Sequence, residues 1–160
     1  MVEYPSASEV IRKALEDFEL KFEHDEDVNA FVFNMNIPSQ ISSVRFILRP
    51  TADAGFQCVA SLAIGGKADD REMMLSLSEL LTRINYQILH GKFTMDFSDG
   101  EIRWELPYAG WGHDELPSES VMMALVLSIR MAKNFAPCIL AVIFGGKSAE
   151  DAHKLAQTDD

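Results

Sequence analysis

Cysteine and histidine are scarce in this sequence, and basic residues are outnumbered. Two Cys and four His occur in 160 residues, and 14 Lys and Arg stand against 25 Asp and Glu. Cys58 and Cys138 lack partners at metal-ligand spacing and sit in apolar runs. They read as buried reduced thiols, with no disulfide framework around them. His24, His90, His113 and His153 share no helix face or evident loop, and no His-x-x-x-His, Cys-x-x-Cys or EF-hand spacing occurs. The sequence therefore calls for no metal and no cofactor. The acidic run Asp25-Glu26-Asp27 reads as a solvated loop rather than a cation site.

Catalytic wording is missing as well. There is no Gly-x-Ser-x-Gly and no Walker loop. Gly65-Gly66-Lys67 and Gly145-Gly146-Lys147-Ser148 lack the upstream glycine of a phosphate loop, and the second reads as a helix C-cap. The chain is read as not an enzyme. A net charge of −11 repels phosphate backbones and anionic headgroups, which argues against nucleic-acid and membrane partners and favours solubility. No clean apolar span of ~20 residues exists, because Arg130, Lys133, Asn134 and Pro137 interrupt Val121–Phe144. Met1–Pro5 lacks the basic and apolar regions of a signal peptide, so the expected location is cytoplasmic.

What the sequence does contain is a folded core, with 48% hydrophobic residues and ten Phe. One domain, residues 1–160, is expected, with its core at about 8–146. Ser6-Ala7-Ser8-Glu9 is a capping-box pattern opening an amphipathic helix over 7–22, with Ile11, Leu15, Phe18 and Phe22 on one face. Three alternating segments follow, at 28–37, 43–49 and 55–64. They place Phe31, Phe33, Val44, Phe46, Leu48, Phe56, Cys58 and Leu62 on one face of an antiparallel meander. The opposite face carries Val32, Ile47, Val59 and Ala63, either as ordinary surface or as a face that meets a partner. A second helix is expected over 69–89, with the stripe Met73, Leu77, Leu80, Leu81, Ile84 and Ile88.

The clearest local signal is a hairpin. Gly91–Phe97 and Glu101–Leu106 alternate strictly around Ser98-Asp99-Gly100, and Asp-Gly tolerates the positive φ of a tight turn. Phe93, Met95, Phe97, Ile102, Trp104 and Leu106 read as core. Lys92, Thr94, Asp96, Arg103 and Glu105 form an outer face of cross-strand pairs. A loop with Trp111 and His113-Asp114-Glu115 leads to a third helix over 118–135. A further helical segment from Pro137 to Phe144 and a short helix over 148–156 follow, and 157–160 should fray. Val121–Leu127 is apolar without a break, so this helix must be covered on all sides. One side meets the sheet, and the other needs the Cys138–Phe144 segment or a second protomer.

The stretch Asn85-Tyr86-Gln87-Ile88-Leu89-His90-Gly91-Lys92-Phe93-Thr94-Met95-Asp96-Phe97, then Asp99-Gly100-Glu101-Ile102-Arg103, resembles the YbjN-like family of bacterial sensory transduction regulators. Pro137-Cys138-Ile139-Leu140-Ala141-Val142-Ile143-Phe144-Gly145-Gly146 is similar to that family's C-terminal pattern. The resemblance implies an α+β fold of order α-β-β-β-α-β-β-α, similar to type III secretion chaperones, whose protomers dimerise and hold an extended polypeptide. It implies no catalytic residue. The expected function is a non-catalytic, dimeric interaction module, chaperone-like or regulatory, with a protein or peptide partner. Its candidate surface comprises Val32, Ile47, Val59, Trp111, Met123 and Leu127. The competing reading is a small-molecule sensor or enzyme using the Trp111–His113 loop, against which stands the favoured expectation that Trp111 simply packs the loop onto the core.

Overall fold

A computed structural model of the chain describes residues 5–51 and 54–157. Met1–Tyr4, part of the link between the second and third expected strands, and the expected fray from residue 158 onward lie outside the described residues.

Helix α1 (Ala7–Asp17) starts on a complete capping box. Glu9 N–H donates to Ser6 Oγ at 3.3 Å, and the Glu9 carboxylate accepts from Ser6 N–H at 2.7 Å. The helix stops earlier than its apolar spacing predicts. Glu19 adopts φ +55°, and Phe22 leaves the helix to meet Phe31 edge-on at 5.6 Å. What was expected to be an acidic loop contains a short strand, β1 (Glu23–Asp25). His24 holds it there. The imidazole stacks on Phe31 at 4.3 Å, while Nδ1 accepts from Arg12 at 2.7 Å and Nε2 donates to Asn29 Oδ1 at 3.0 Å. Because Arg12 can only donate, these two bonds fix the tautomer.

Strands β2 (Ala30–Asn36), β3 (Ser43–Thr51) and β4 (Gly55–Gly65) form the expected meander. The chain then runs through α2 (Arg71–Gln87) into the hairpin of β5 (Lys92–Met95) and β6 (Glu101–Tyr108). The six strands lie in the order β1-β2-β3-β4-β6-β5, all neighbours antiparallel. The expected phase of every long strand is observed. Phe31, Phe33, Val44, Phe46, Leu48, Phe56, Cys58, Leu62, Phe93, Ile102 and Trp104 are buried under the helices. Each of the larger side chains contributes on the order of 1.5–3 kcal/mol by leaving water.

The hairpin turn begins earlier than the alternation indicates. Asp96 Oδ1 accepts from Ser98 N–H at 2.8 Å and from the Ser98 hydroxyl at 2.6 Å, an Asx turn that ends β5 at Met95. Phe97 is consequently 56% exposed instead of core, and Asp96 belongs to the turn rather than to the outer face. Asn85, on the last turn of α2, grips β5 from the side. Its Nδ2 donates to Phe93 O and its Oδ1 accepts from Phe93 N–H, both at 2.8 Å.

The two helical segments expected on either side of Asn134-Phe135-Ala136 are one helix, α3 (Ser118–Ile143), which continues through Pro137. Pro137 has no N–H for the Lys133 carbonyl, but Lys133 is exposed, so water can serve that oxygen. By length and composition α3 would span a membrane. Here it is the core helix of the domain, with Val121, Ala124, Leu125, Ser128, Ala132, Phe135, Ala136, Cys138, Ile139 and Val142 buried. A short α4 (Ala149–His153) packs on α2 and α3, and a 3₁₀ turn over Lys154–Gln157 follows. Cys58 and Cys138 are free, buried thiols, both pushed up to about 11 by burial.

Candidate docking surface on helix α3

Helix α3 divides its side chains between two jobs. The inner stripe closes the core. The outer stripe, Glu119, Met123, Val126 and Arg130, falls at spacings of four, three and four residues, which keeps it on one face. Met123 is 65% exposed and Val126 is 51% exposed, and Leu127 is half-buried beside them. The continuous apolar run therefore does not find full cover within one chain: the Cys138–Phe144 segment extends the same helix instead of folding over it.

Beside this stripe lies a groove of about 560 Å³. Its opposite wall is Leu106, Pro107 and Tyr108 of β6, with His90 at one corner. The wall is open because β5 pairs β6 only from Ile102 to Glu105, so the last three residues of β6 run past it. A second hollow flanks Met123 on its other side, between Ala14, Asp17 and Phe18 of the α1 end and Met122 of α3. Met123 is thus a ridge between two depressions.

The Trp111 loop adjoins the same surface. Trp111 is 84% exposed and shares a hollow with Phe56, Pro107 and Tyr108, and the last two also line the α3 groove. The alternative that Trp111 packs its loop onto the core is thereby corrected. His113, Asp114 and Glu115 are all exposed, and the backbone N–H of His113 donates to Gly110 O at 3.1 Å. Among the described residues no group of three His, Cys, Asp or Glu is placed to hold a metal ion.

Of the six residues expected on a partner surface, Trp111, Met123 and Leu127 come together here. Val32, Ile47 and Val59 are on the opposite face of the sheet, in a transverse row that runs Glu23, Val32, Ile47, Val59, Glu105, Lys92. Val59 is a correction, because it is only 3% exposed. It lies in the central strand between Ile47 and Glu105, and Glu105 is held by Lys92 at 3.5 Å and by the Thr94 hydroxyl at 3.1 Å. Arg103 and Glu101 form a further ion pair on that face, and Ser61 donates to Glu101. Arg103, and then Ser61, hold the Glu101 carboxyl below the usual carboxylate range. At its β4, β6 and β5 end the outer sheet face is therefore occupied by its own charge network. Val126 and Tyr108 are absent from the expected surface, and Leu106 and Phe18, expected to face the core, are half-buried and 42% exposed here. Val126 is recoverable from its spacing to Met123, whereas the others join the patch only through tertiary placement.

Comparison with known proteins fixes the lineage. The YbjN family, described as "Putative bacterial sensory transduction regulator", matches residues 7–141. The chain belongs to the YbjN family. Among solved structures it is similar to the crystal structure of YbjN from E. coli, described as "a putative transcription regulator", with a TM-score of 0.56 and 15% identity over 94% of each chain. At that identity the likeness concerns the fold, and the YbjN fold is the six-stranded α+β arrangement described above. No curated protein matches the chain.

Proposed function

We propose that this YbjN-family chain is a non-catalytic regulatory module that works by protein–protein contact, as a homodimer with a chaperone-like or adaptor role toward a protein or peptide partner in the cytoplasm. The observation that carries this reading is the outer stripe of α3. A core helix presents Met123 and Val126 to solvent as a ridge between two apolar hollows, continuous through Pro107 and Tyr108 with the exposed Trp111. Large clustered apolar side chains of this kind mark interaction surfaces, and Trp and Met are favoured there. The family description as a regulator agrees with it.

Light scattering after size exclusion tests the reading. The wild-type protein should elute with the mass of two chains at micromolar concentration. Met123→Asp should elute as a folded monomer with an unchanged circular dichroism spectrum. A wild-type protein that stays monomeric, or a Met123→Asp variant that stays dimeric, would refute it.

A further inference from the structure

Strand β2 is covered along only part of its outer edge. β1 pairs it from Ala30 to Val32, and beyond that Phe33, Asn34, Met35 and Asn36 have no strand beside them. The Ile37 N–H donates to Ser42 O at 3.1 Å, which sets the odd-numbered residues of β2 as the ones bonded to β3. The main-chain N–H and C=O of Asn34 and Asn36 therefore point out of the sheet, and no hydrogen bond among the described residues reaches them. The stretch carries neither the charges nor the prolines that ordinarily discourage pairing at an edge. Beside it lies a hollow of about 370 Å³ lined by Lys21 and Arg45. Both cations are exposed, and neither has an ion-pair or hydrogen-bond partner among the described residues. Glu23 also lines the hollow, which leaves positive charge in excess there on a chain of net charge −11.

We propose that this edge takes up an extended segment of another protein as a further strand, with an acidic residue toward Lys21 and Arg45 and an aliphatic residue on the opposite face. This rests on the peptide-partner part of the reading above and is independent of α3. Pairing with Asn34 and Asn36 supplies four main-chain hydrogen bonds, because each offers one donor and one acceptor. Asn34 lies opposite Arg45 in the ladder, so the residue that pairs with Asn34 puts its side chain on the Arg45 face. A carboxylate there enters the hollow between the two cations. The next residue of the segment turns to the other face beside half-buried Met35, where an aliphatic side chain covers apolar surface. The pattern recognised is thus acidic–aliphatic alternation in an extended chain. A second copy is the poorer occupant, because edge-to-edge pairing about a two-fold axis would crowd Lys21 and Arg45 of one copy against those of the other.

Residue-resolved amide exchange by NMR tests this with a capped peptide, acetyl-Thr-Glu-Val-Glu-Val-Thr-amide, and its counterpart with Lys in place of Glu. In the free protein the Asn34 and Asn36 amides should exchange freely while those of Phe33 and Met35 are protected. The acidic peptide should protect Asn34 and Asn36 and bind about tenfold more tightly than the lysine peptide, and Arg45→Glu should reverse that order. Asn34→Pro removes only an unbonded N–H, so it should keep the circular dichroism spectrum and weaken binding about tenfold or more. Equal binding of the two peptides, or full binding by folded Asn34→Pro, would overturn the proposal. Shifts at Met123 and Val126 without any at Asn34 and Asn36 would overturn the edge site and leave a peptide-binding module. Concentration-dependent protection of Asn34 and Asn36 without peptide would assign the edge to a second copy instead. Absence of binding by either peptide also refutes the proposal, while the α3 dimer remains for light scattering to decide.

Discussion

Gly91→Ala is the sharpest probe of the hairpin, because two separable penalties meet at that residue. Gly91 connects the α2 end to β5 with φ +68°, a conformation that costs a residue with a Cβ about 1–2 kcal/mol. A Cβ built there would also collide with the Trp104 ring and approach Glu105 O to 2.8 Å. Trp104 is fully buried and the Glu105 carbonyl is backbone, so neither yields easily. Forced overpacking of this kind costs about 1–3 kcal/mol more. The sum, about 2–5 kcal/mol, corresponds to a fall in Tm on the order of 10 °C for a domain of this size. Gly112→Ala supplies the control. Its φ is +80°, yet nothing lies within 4 Å of its Cβ position, so it should show the conformational penalty alone. Urea titration of both variants at one pH, with equal m-values, measures the difference. Gly91→Ala should be the less stable by at least about 1 kcal/mol. Equal destabilisation of the two would mean that the Trp104 contact does not define the hairpin.

Two further tests address the ionisable groups. Glu101 has a folded-state pKa below its unfolded value, so its contribution is present above about pH 4–5 and is lost as pH falls through the depressed folded value. Glu101→Gln should lower stability at neutral pH and flatten the acid side of the stability profile; an acid limb identical to wild type counts against the Arg103–Glu101 account. With both thiols pushed up to about 11, roughly 0.1% is thiolate at pH 8, so Cys58 and Cys138 should resist iodoacetamide in the native protein and react once urea unfolds it. Rapid modification of either native thiol would place it at the surface.

Much of the fold is legible in the sequence because period-two alternation ties each strand's phase to a buried face. Phe31 and Phe33, Phe46 and Leu48, and Phe93 and Trp104 all point where their spacing says they should. The hairpin wording also carries the family. What escapes is non-local. Glu23-His24-Asp25 has no strand-like pattern, and it pairs with β2 where His24 bonds Arg12 and Asn29 and stacks on Phe31. Phe97 continues the alternation of β5, yet the Asx turn at Asp96 removes it from the core. Val59 alternates outward but is shut in by its position between Ile47 and Glu105. Pro137 reads as a helix start because a mid-helix proline forfeits a hydrogen bond, yet α3 runs through it. Met123 and Leu127 were visible as part of the unbroken apolar run of α3, and Trp111 as an aromatic in a loop. The groove itself was not, since it depends on β6 outrunning β5.

The sheet's two margins bear on how this protein can associate at all. An unpaired strand margin invites another chain to add to it, which is a route to open-ended aggregates. One margin here is β1, three residues long with Glu23 and Asp25 exposed. At the other margin, the Asn85 amide already occupies the free N–H and C=O of Phe93, and where β6 emerges beyond β5, Pro107 withholds a donor. One stretch stays open: β1 covers β2 only from Ala30 to Val32, so Phe33, Asn34, Met35 and Asn36 form the part of the margin to which a further strand could add.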